Sequence, residues 1–296
     1  WRLAVDERGR FATGGQTNGE IWTPKNQFSA RLGDMNQEHC TVYNMVRLAD
    51  YLYRWTGDEK YADYIESNIW NGLFAQGFCE GHAREQCLEP SPPKSGLITY
   101  YLPLAAGSQK KWGSKTEDFW CCHCTLVQAN ARYREWIYYG ADDGITVAQY
   151  FPSEAAFCVD GVPVTLEQKP ADLCEDILEI HEISHMPANR PTWETVQFTV
   201  STERPVTFAL RLRLPRWIQG DPVFRLNGET VSPKIQDGYA LFERMWENDT
   251  LEAEYPKSVV CVSLPDKPDT VAFVDGPVVL AGLVPEERIC FSSRLR

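Results

Sequence analysis

Cys121 and Cys122 stand side by side in Asp118-Phe119-Trp120-Cys121-Cys122-His123-Cys124, and Glu38-His39-Cys40 lies far earlier in the chain. Three thiols and one carboxylate form a four-ligand set of the kind zinc takes tetrahedrally, so two distant segments must converge on one point. The convergence restricts each segment. Residues at i and i+2 diverge by about 200° on a helix but share a face when extended, so Glu38 and Cys40 belong on an extended stretch or at the start of a helix. Adjacent cysteines meet one ion only where the chain turns, which places Cys121-Cys122 at a junction leading into the helix that begins near Cys124.

Spacing alone does not rank every donor. His39, His123 and Cys124 compete for the same ion, since imidazole and thiolate both suit zinc. Buried free cysteines acting as small hydrophobes are the plainer reading, and a disulfide network is another, because the ten cysteines are even in number. Cys79 and Cys87, seven residues apart in a polar loop, form either a bridge or two free thiols.

Composition excludes several partners. A net charge of -12 with no basic run argues against nucleic acid and against an anionic membrane surface. The longest apolar stretch, Val278 to Val284, falls far short of the roughly 20 residues a membrane helix needs. A soluble globular protein is expected, cytoplasmic rather than secreted. With 43% hydrophobic residues over 296 positions, the chain can bury a sizeable core and has room for two domains.

The hydrophobic period changes once along the chain. Tyr43, Leu48, Tyr51, Leu52 and Trp55 make a helical stripe ended by Gly57, and Asp58 caps a second helix carrying Tyr61, Ile65, Ile69 and Leu73. A third helix is expected from Thr125 to Tyr138, after a loop-rich, proline-punctuated tract from Gly77 to Trp120. Beyond Asp142-Asp143-Gly144 the period becomes two, in segments starting at Ile145, Thr195, Val206 and Tyr239, with Asn227-Gly228 marking a hairpin. The expectation is an α+β, multi-domain chain: a helical domain over 1–143 and an antiparallel β-sandwich over 144–296.

The segments Glu38 to Leu48 and Tyr53 to Tyr64 closely resemble the Glu-x-Cys helix of glycoside hydrolase family 127, the β-L-arabinofuranosidase-like proteins. Phe119-Trp120-Cys121-Cys122 resembles their Cys-Cys motif, and Tyr100 to Leu104 and Thr13 to Glu20 are similar to further family segments. This resemblance spans most of the chain. It implies a zinc-dependent retaining glycosidase in which Glu38, Cys40, Cys121 and Cys122 hold the metal in an (α/α)6 barrel. It also implies Cys121 as nucleophile and Glu20, in the Gly19-Glu20 step, as acid/base. The implied substrate is a terminal β-L-arabinofuranose, or a related sugar, of a plant cell-wall glycan. Ile21 and Trp22 flank Glu20 and are expected to desolvate it. Gln16, Trp22, His39 and His123 are candidates for sugar recognition, and Trp112, Trp120, Tyr100 and Tyr101 offer ring faces.

Departures from the family pattern sharpen the expectation. Glu20 and Glu38 are 18 residues apart, a longer segment than usual, and His123-Cys124 replaces the smaller residues that commonly follow the pair. Residues 1–143 have room for only four or five helices of about a dozen residues, against the twelve of a full barrel. The helical part is therefore expected to be the C-terminal portion of such a barrel, with poor turnover by the chain alone. A homo-oligomer through the β domain is one partner the sequence admits. The competing reading is a non-catalytic carbohydrate-binding or structural relative whose zinc only staples the helical region, and a disulfide-stabilised secreted domain without metal is a third.

Overall fold

The computed structural model describes residues 1–78, 97–114, 117–170 and 191–282. Cys79 and Cys87 lie outside the described residues. After a π-helical turn at Arg2–Asp6 come the hairpin strands β1 (Thr17–Asn18) and β2 (Ile21–Trp22), followed by helices α1 (His39–Thr56) and α2 (Glu59–Asn68). The short pair β3 (Gly77–Phe78) and β4 (Leu97–Ile98) precedes helix α3 (Cys121–Arg132). Gly57 at φ +67° ends α1, a conformation open to glycine at little cost, and its N–H bonds the Tyr53 carbonyl at 2.8 Å. The Asp58 carboxylate then accepts the Lys60 N–H at 3.1 Å and caps α2, as the sequence predicts.

Two local expectations shift. The buried line of α1 runs through Val42, Val46, Ala49 and Tyr53, whereas Tyr51 is 46% and Trp55 78% exposed. Aromatic size misled the stripe, because the small Ala49 holds a buried position that Trp55 does not. α3 starts at Cys121 and stops at Arg132, a 3-10 turn covers Tyr133–Trp136, and Tyr138 opens a strand instead of closing the helix. The β-branched and aromatic residues that follow suit an extended chain better than a further helical turn.

Strands continue as β5 (Tyr138–Ala141), β6 (Gly144–Val147), β7 (Ser153–Val159), β8 (Val162–Pro170), β9 (Trp193–Thr202), β10 (Val206–Arg213), β11 (Val223–Leu226) and β12 (Glu229–Val231). They end with β13 (Lys234–Gln236), β14 (Tyr239–Trp246), β15 (Asp249–Pro256), β16 (Val259–Leu264), β17 (Lys267–Asp275) and β18 (Val278–Val279). One sheet has the order β13-β14-β10-β6-β5 and another β12-β11-β15-β9-β8-β7. Their inner faces bury Val164, Leu166, Phe198, Leu210, Trp246 and Leu251, each contributing about 2 kcal/mol of apolar burial. Asn227 and Gly228 both have positive φ, which makes the expected hairpin a type I′ turn, and Asp160-Gly161 and Asp237-Gly238 repeat it.

Among the described residues the expected antiparallel arrangement holds except at one place. β6 pairs with β10 in parallel, because the chain runs through the neighbouring sheet between them. Gly144 makes that pairing feasible: a Cβ there would lie 1.9 Å from the Ala209 carbonyl oxygen.

The chain forms two compact units that are not contiguous in sequence. One gathers 1–48, 66–131 and 259–296, and the other 49–65 and 132–258. The first therefore includes the three-stranded sheet β16-β17-β18. The Asp266 carboxylate there accepts the Ser29 N–H and hydroxyl, while Asn71 bonds both the Pro277 carbonyl and the Val279 N–H. No helix among the described residues is long and apolar enough to cross a membrane.

Candidate metal and catalytic site

The hairpin β1–β2 turns through Gly19, at φ +60°, and Glu20 sits at its tip. Backbone bonds lace this hairpin to the segment before α1: Gly19 N–H to Met35 O at 2.7 Å and Gln37 N–H to Thr17 O at 3.1 Å. The Thr17 hydroxyl accepts the Glu38 N–H at 3.1 Å. Two glycines of the Thr13-Gly14-Gly15 step serve packing, since a Cβ on Gly15 would collide with the Gln37 side chain at 2.4 Å and one on Gly14 with Asn68. Gln37 itself is wholly buried at φ +52°, with its amide oxygen accepting from the Thr13 hydroxyl and the Gly15 N–H and its amide nitrogen donating to Asn71 O. An uncommon backbone conformation is thus held in place one residue before Glu38.

Glu38 meets Tyr101 in a β-bridge, and Leu102 N–H bonds Asn36 O at 2.8 Å, so the Tyr100-Tyr101 step runs beside the Glu-x-Cys segment. Glu38 is extended and α1 begins at His39, the backbone that the i, i+2 spacing requires. At the other segment, Cys121 and Cys122 are the first two residues of α3. His123 fixes that start: its Nδ1 accepts the Trp120 N–H at 3.1 Å, reaching back as the third residue of a capping box does. The helix end also favours negative charge at both thiols.

The Glu38, Cys40, Cys121 and Cys122 donor atoms all lie within 4.8 Å of one another. Cys121 Sγ is 3.6 Å from Cys40 Sγ, 4.0 Å from Cys122 Sγ and 3.6 Å from Glu38 Oε1. Tetrahedral zinc with bonds of about 2.3 Å to sulfur places its sulfurs about 3.8 Å apart. The set therefore fits zinc in both donor chemistry and spacing. Cys124 is an exposed free thiol outside the cluster.

The hydrogen bond with Cys122, then burial, push the Cys40 thiol far above its ordinary range, and burial with the Cys40 contact raises Cys121. Without a cation these thiols keep their protons at neutral pH, so metal binding must displace them. Binding then releases protons, and affinity rises with pH and falls in acid. Zinc retention against a chelator is expected to drop about tenfold per pH unit for each proton displaced, measured between about pH 8 and about pH 6. Equal retention at both ends would mean that the thiols are not ligands.

Tyr100 joins this cluster to the hairpin. Its hydroxyl donates to Glu20 Oε1 and lies 3.8 Å from Cys121 Sγ. Glu20 and Cys121 are both exposed, so one hydroxyl separates a carboxylate from a thiol in an open setting. The hydrogen bond to Glu20, then burial, hold the Tyr100 hydroxyl protonated well above its ordinary range. The desolvation of Glu20 expected from its neighbours is absent: Ile21 is 67% exposed and Trp22 36%, because both lie on a two-stranded ribbon without a covering layer.

The four residues considered for sugar recognition part company. Trp22 is open, with the Arg8 guanidinium 5.7 Å from its ring. His123 faces the cap, its ring parallel to that of Phe119 and tilted against Trp120. Gln16 is buried, its amide donating to the Ala4 and Gly9 carbonyls. His39 is wholly buried against Thr125, and burial lowers it to about 4, so it is neutral. The Tyr100 hydroxyl bridge went unread in the sequence, which offers Tyr100 only as a ring face, because its position depends on the Glu38–Tyr101 bridge.

Comparison with known families now bears on this geometry. The β-L-arabinofuranosidase GH127 catalytic domain matches residues 1–135, and the GH127 middle domain matches 144–257. The chain belongs to the GH127 β-L-arabinofuranosidase family. Among solved structures, this GH127 chain is similar to a GH127 β-L-arabinofuranosidase from Geobacillus stearothermophilus T6 (TM-score 0.69, 23% identity, covering 93% of this chain and 41% of that one). It is also similar to a GH127 β-arabinofuranosidase (TM-score 0.70, 20% identity, 94% and 42%) and to a chain described as a glycoside hydrolase (TM-score 0.64, 17% identity, 92% and 45%). These likenesses establish the fold, and the GH127 chain spans less than half the length of each relative. No curated protein matches the sequence.

Proposed function

We propose that this GH127 chain carries the catalytic centre of a zinc-dependent, retaining glycoside hydrolase that releases terminal β-L-arabinofuranose or a related plant-polysaccharide sugar. The observation that supports this reading most is the Glu20–Tyr100–Cys121 line, in which an open thiol of the four-donor cluster sits one hydroxyl away from a carboxylate. A purely structural zinc site has no use for a carboxylate so placed. Residues 1–143 are read as the part of an (α/α)6 barrel that carries this centre.

Glu38, Cys40, Cys121 and Cys122 would hold the ion, and the chemistry it supplies is thiolate character at Cys121 at neutral pH. Cys121 Sγ attacks the anomeric carbon as the glycosidic C–O bond breaks, and the leaving oxygen takes the proton of Glu20. The S–C bond formed holds the sugar as a thioglycosyl group. The Glu20 carboxylate next takes a proton from water, whose oxygen bonds the anomeric carbon as the S–C bond breaks, returning the thiolate. Two inversions give net retention. Tyr100 orients Glu20 through its hydroxyl and holds the carboxylate toward the thiol.

The test is Glu20→Gln with two substrates. Hydrolysis of an alkyl β-L-arabinofuranoside, whose leaving group needs a proton, is expected to fall about 10²–10⁴-fold. An aryl glycoside with a good leaving group loses much less in its first step and accumulates the thioglycosyl form. Equal rates for parent and variant on the alkyl substrate would remove Glu20 from the chemistry.

A further inference from the structure

His39 and Thr125 stand behind the ligand cluster, and no step above uses them. His39 lies between the donors Glu38 and Cys40, its ring wholly buried, with Nδ1 2.8 Å from Thr125 Oγ1. Thr125 lies one turn beyond Cys121 in α3, and its hydroxyl is 3.1 Å from the Cys122 carbonyl and 3.3 Å from that of Cys121. These contacts fix the proton arrangement. A carbonyl only accepts, so the single Thr125 proton goes to the cysteine carbonyls and its lone pair accepts from His39 Nδ1–H. His39 Nε2 is left as a buried lone pair, a less severe arrangement than a buried orphan N–H. The resulting chain of bonds runs from the ring between one ligand pair to the backbone of the other.

We propose that the His39–Thr125 hydrogen bond is the tether that sets the spacing between the Glu38/Cys40 half and the Cys121/Cys122 half of the cluster, making both positioning residues for metal retention. This rests on the metal-site reading above. The two halves come from different segments: the Thr17 and Gln37 contacts hold the Glu38 side, and the His123 cap holds the start of α3. The Tyr100-Tyr101 step touches both from a third segment, through the Glu38–Tyr101 bridge and a 3.8 Å contact of Cys122 Sγ with the Tyr100 carbonyl, whereas the His39–Thr125 bond joins the two ligand-bearing segments directly. The tether crosses between them. It is the outer-shell support that keeps ligand geometry in place before the ion arrives.

The test uses Thr125→Val, which exchanges the hydroxyl for a methyl group at nearly constant volume, together with Thr125→Ser and the double variant His39→Leu/Thr125→Val. Zinc dissociation constants are read by chelator competition, cobalt(II)–thiolate absorption reports ligand geometry, and melting of the metal-free protein reports stability. Thr125→Val is expected to weaken zinc retention about 10–100-fold and to alter the cobalt bands, with Thr125→Ser restoring both. The double variant orphans no buried N–H, so its metal-free melting recovers while its zinc retention stays low. Parent-like retention and parent-like cobalt bands in Thr125→Val, or retention restored in the double variant, would overturn the tether while leaving the metal site standing. Failure of the parent itself to bind zinc would instead overturn the metal-site reading, and the tether with it.

Discussion

Cys121→Ala is expected to abolish glycoside hydrolysis, lowering kcat by roughly 10⁴–10⁶-fold, the range seen when a covalent nucleophile is removed from an otherwise intact site. The proposed mechanism gives this residue two tasks. Cys121 Sγ is the thiol that faces both the Tyr100 hydroxyl and the Cys40 and Cys122 sulfurs, so its loss removes the attacking atom and one of four donors together. The two effects are separable by measurement. Zinc per chain, measured by elemental analysis under reducing conditions, should fall from about one and become chelator-sensitive, since three donors remain. Cys124→Ala serves as the comparison, because that exposed thiol lies outside the cluster and its removal should change neither readout. Turnover by Cys121→Ala within about tenfold of the parent would end the assignment of Cys121 as the nucleophile, since alanine offers no attacking atom.

Arg213→Met carries the largest expected effect on stability, a loss of about 3–5 kcal/mol. Arg213 has no exposed side-chain surface, and its guanidinium pairs with Asp63, whose side chain is only 10% exposed. Its Nε also donates to the Ala148 carbonyl at 2.6 Å, and the guanidinium lies 6.0 Å from the Tyr150 ring centre. Methionine fills much of the volume but leaves Asp63 with only the exposed Arg216 as its ion-pair partner among the described residues, and strands the Ala148 carbonyl. The destabilisation comes chiefly from a largely buried carboxylate left to Arg216 alone, whose side chain is 66% exposed, not from the attraction lost. An Asp63→Asn/Arg213→Met double variant should therefore recover part of the loss. Urea unfolding measures both, and a loss below about 1 kcal/mol for the single substitution would show that water reaches Asp63 and solvates it.

Much of the local structure is written in short stretches of sequence. Gly57 followed by Asp58 stops one helix and caps the next, and Asn227-Gly228 closes a hairpin, because φ preference and a neighbouring side chain suffice. The start of α3 is harder to read. A reading that begins the helix near Cys124 overlooks that His123 can accept the Trp120 N–H and draw the helix back to Cys121. The buried face of α1 is misread for a similar reason, since Trp55 looks like core by size while Ala49 occupies it.

The sequence by itself supplied the candidate donors, three thiols and a carboxylate with His39, His123 and Cys124 as competitors, and a further carboxylate after Gly19. The tertiary structure alone decided how far apart they lie. Cys121 reaches Cys40 at 3.6 Å, and Tyr100 reaches both Glu20 and Cys121, through the register of the Glu38–Tyr101 bridge and the lacing of Thr17 to Gln37 and Glu38. The parallel join of β6 to β10, with Gly144 against Ala209, is likewise a matter of which strands meet. The physical reason is the same in each case. Side-chain chemistry and backbone preference act over a few residues, whereas the distance between two segments is set by the packing and hydrogen-bond register of everything that holds them.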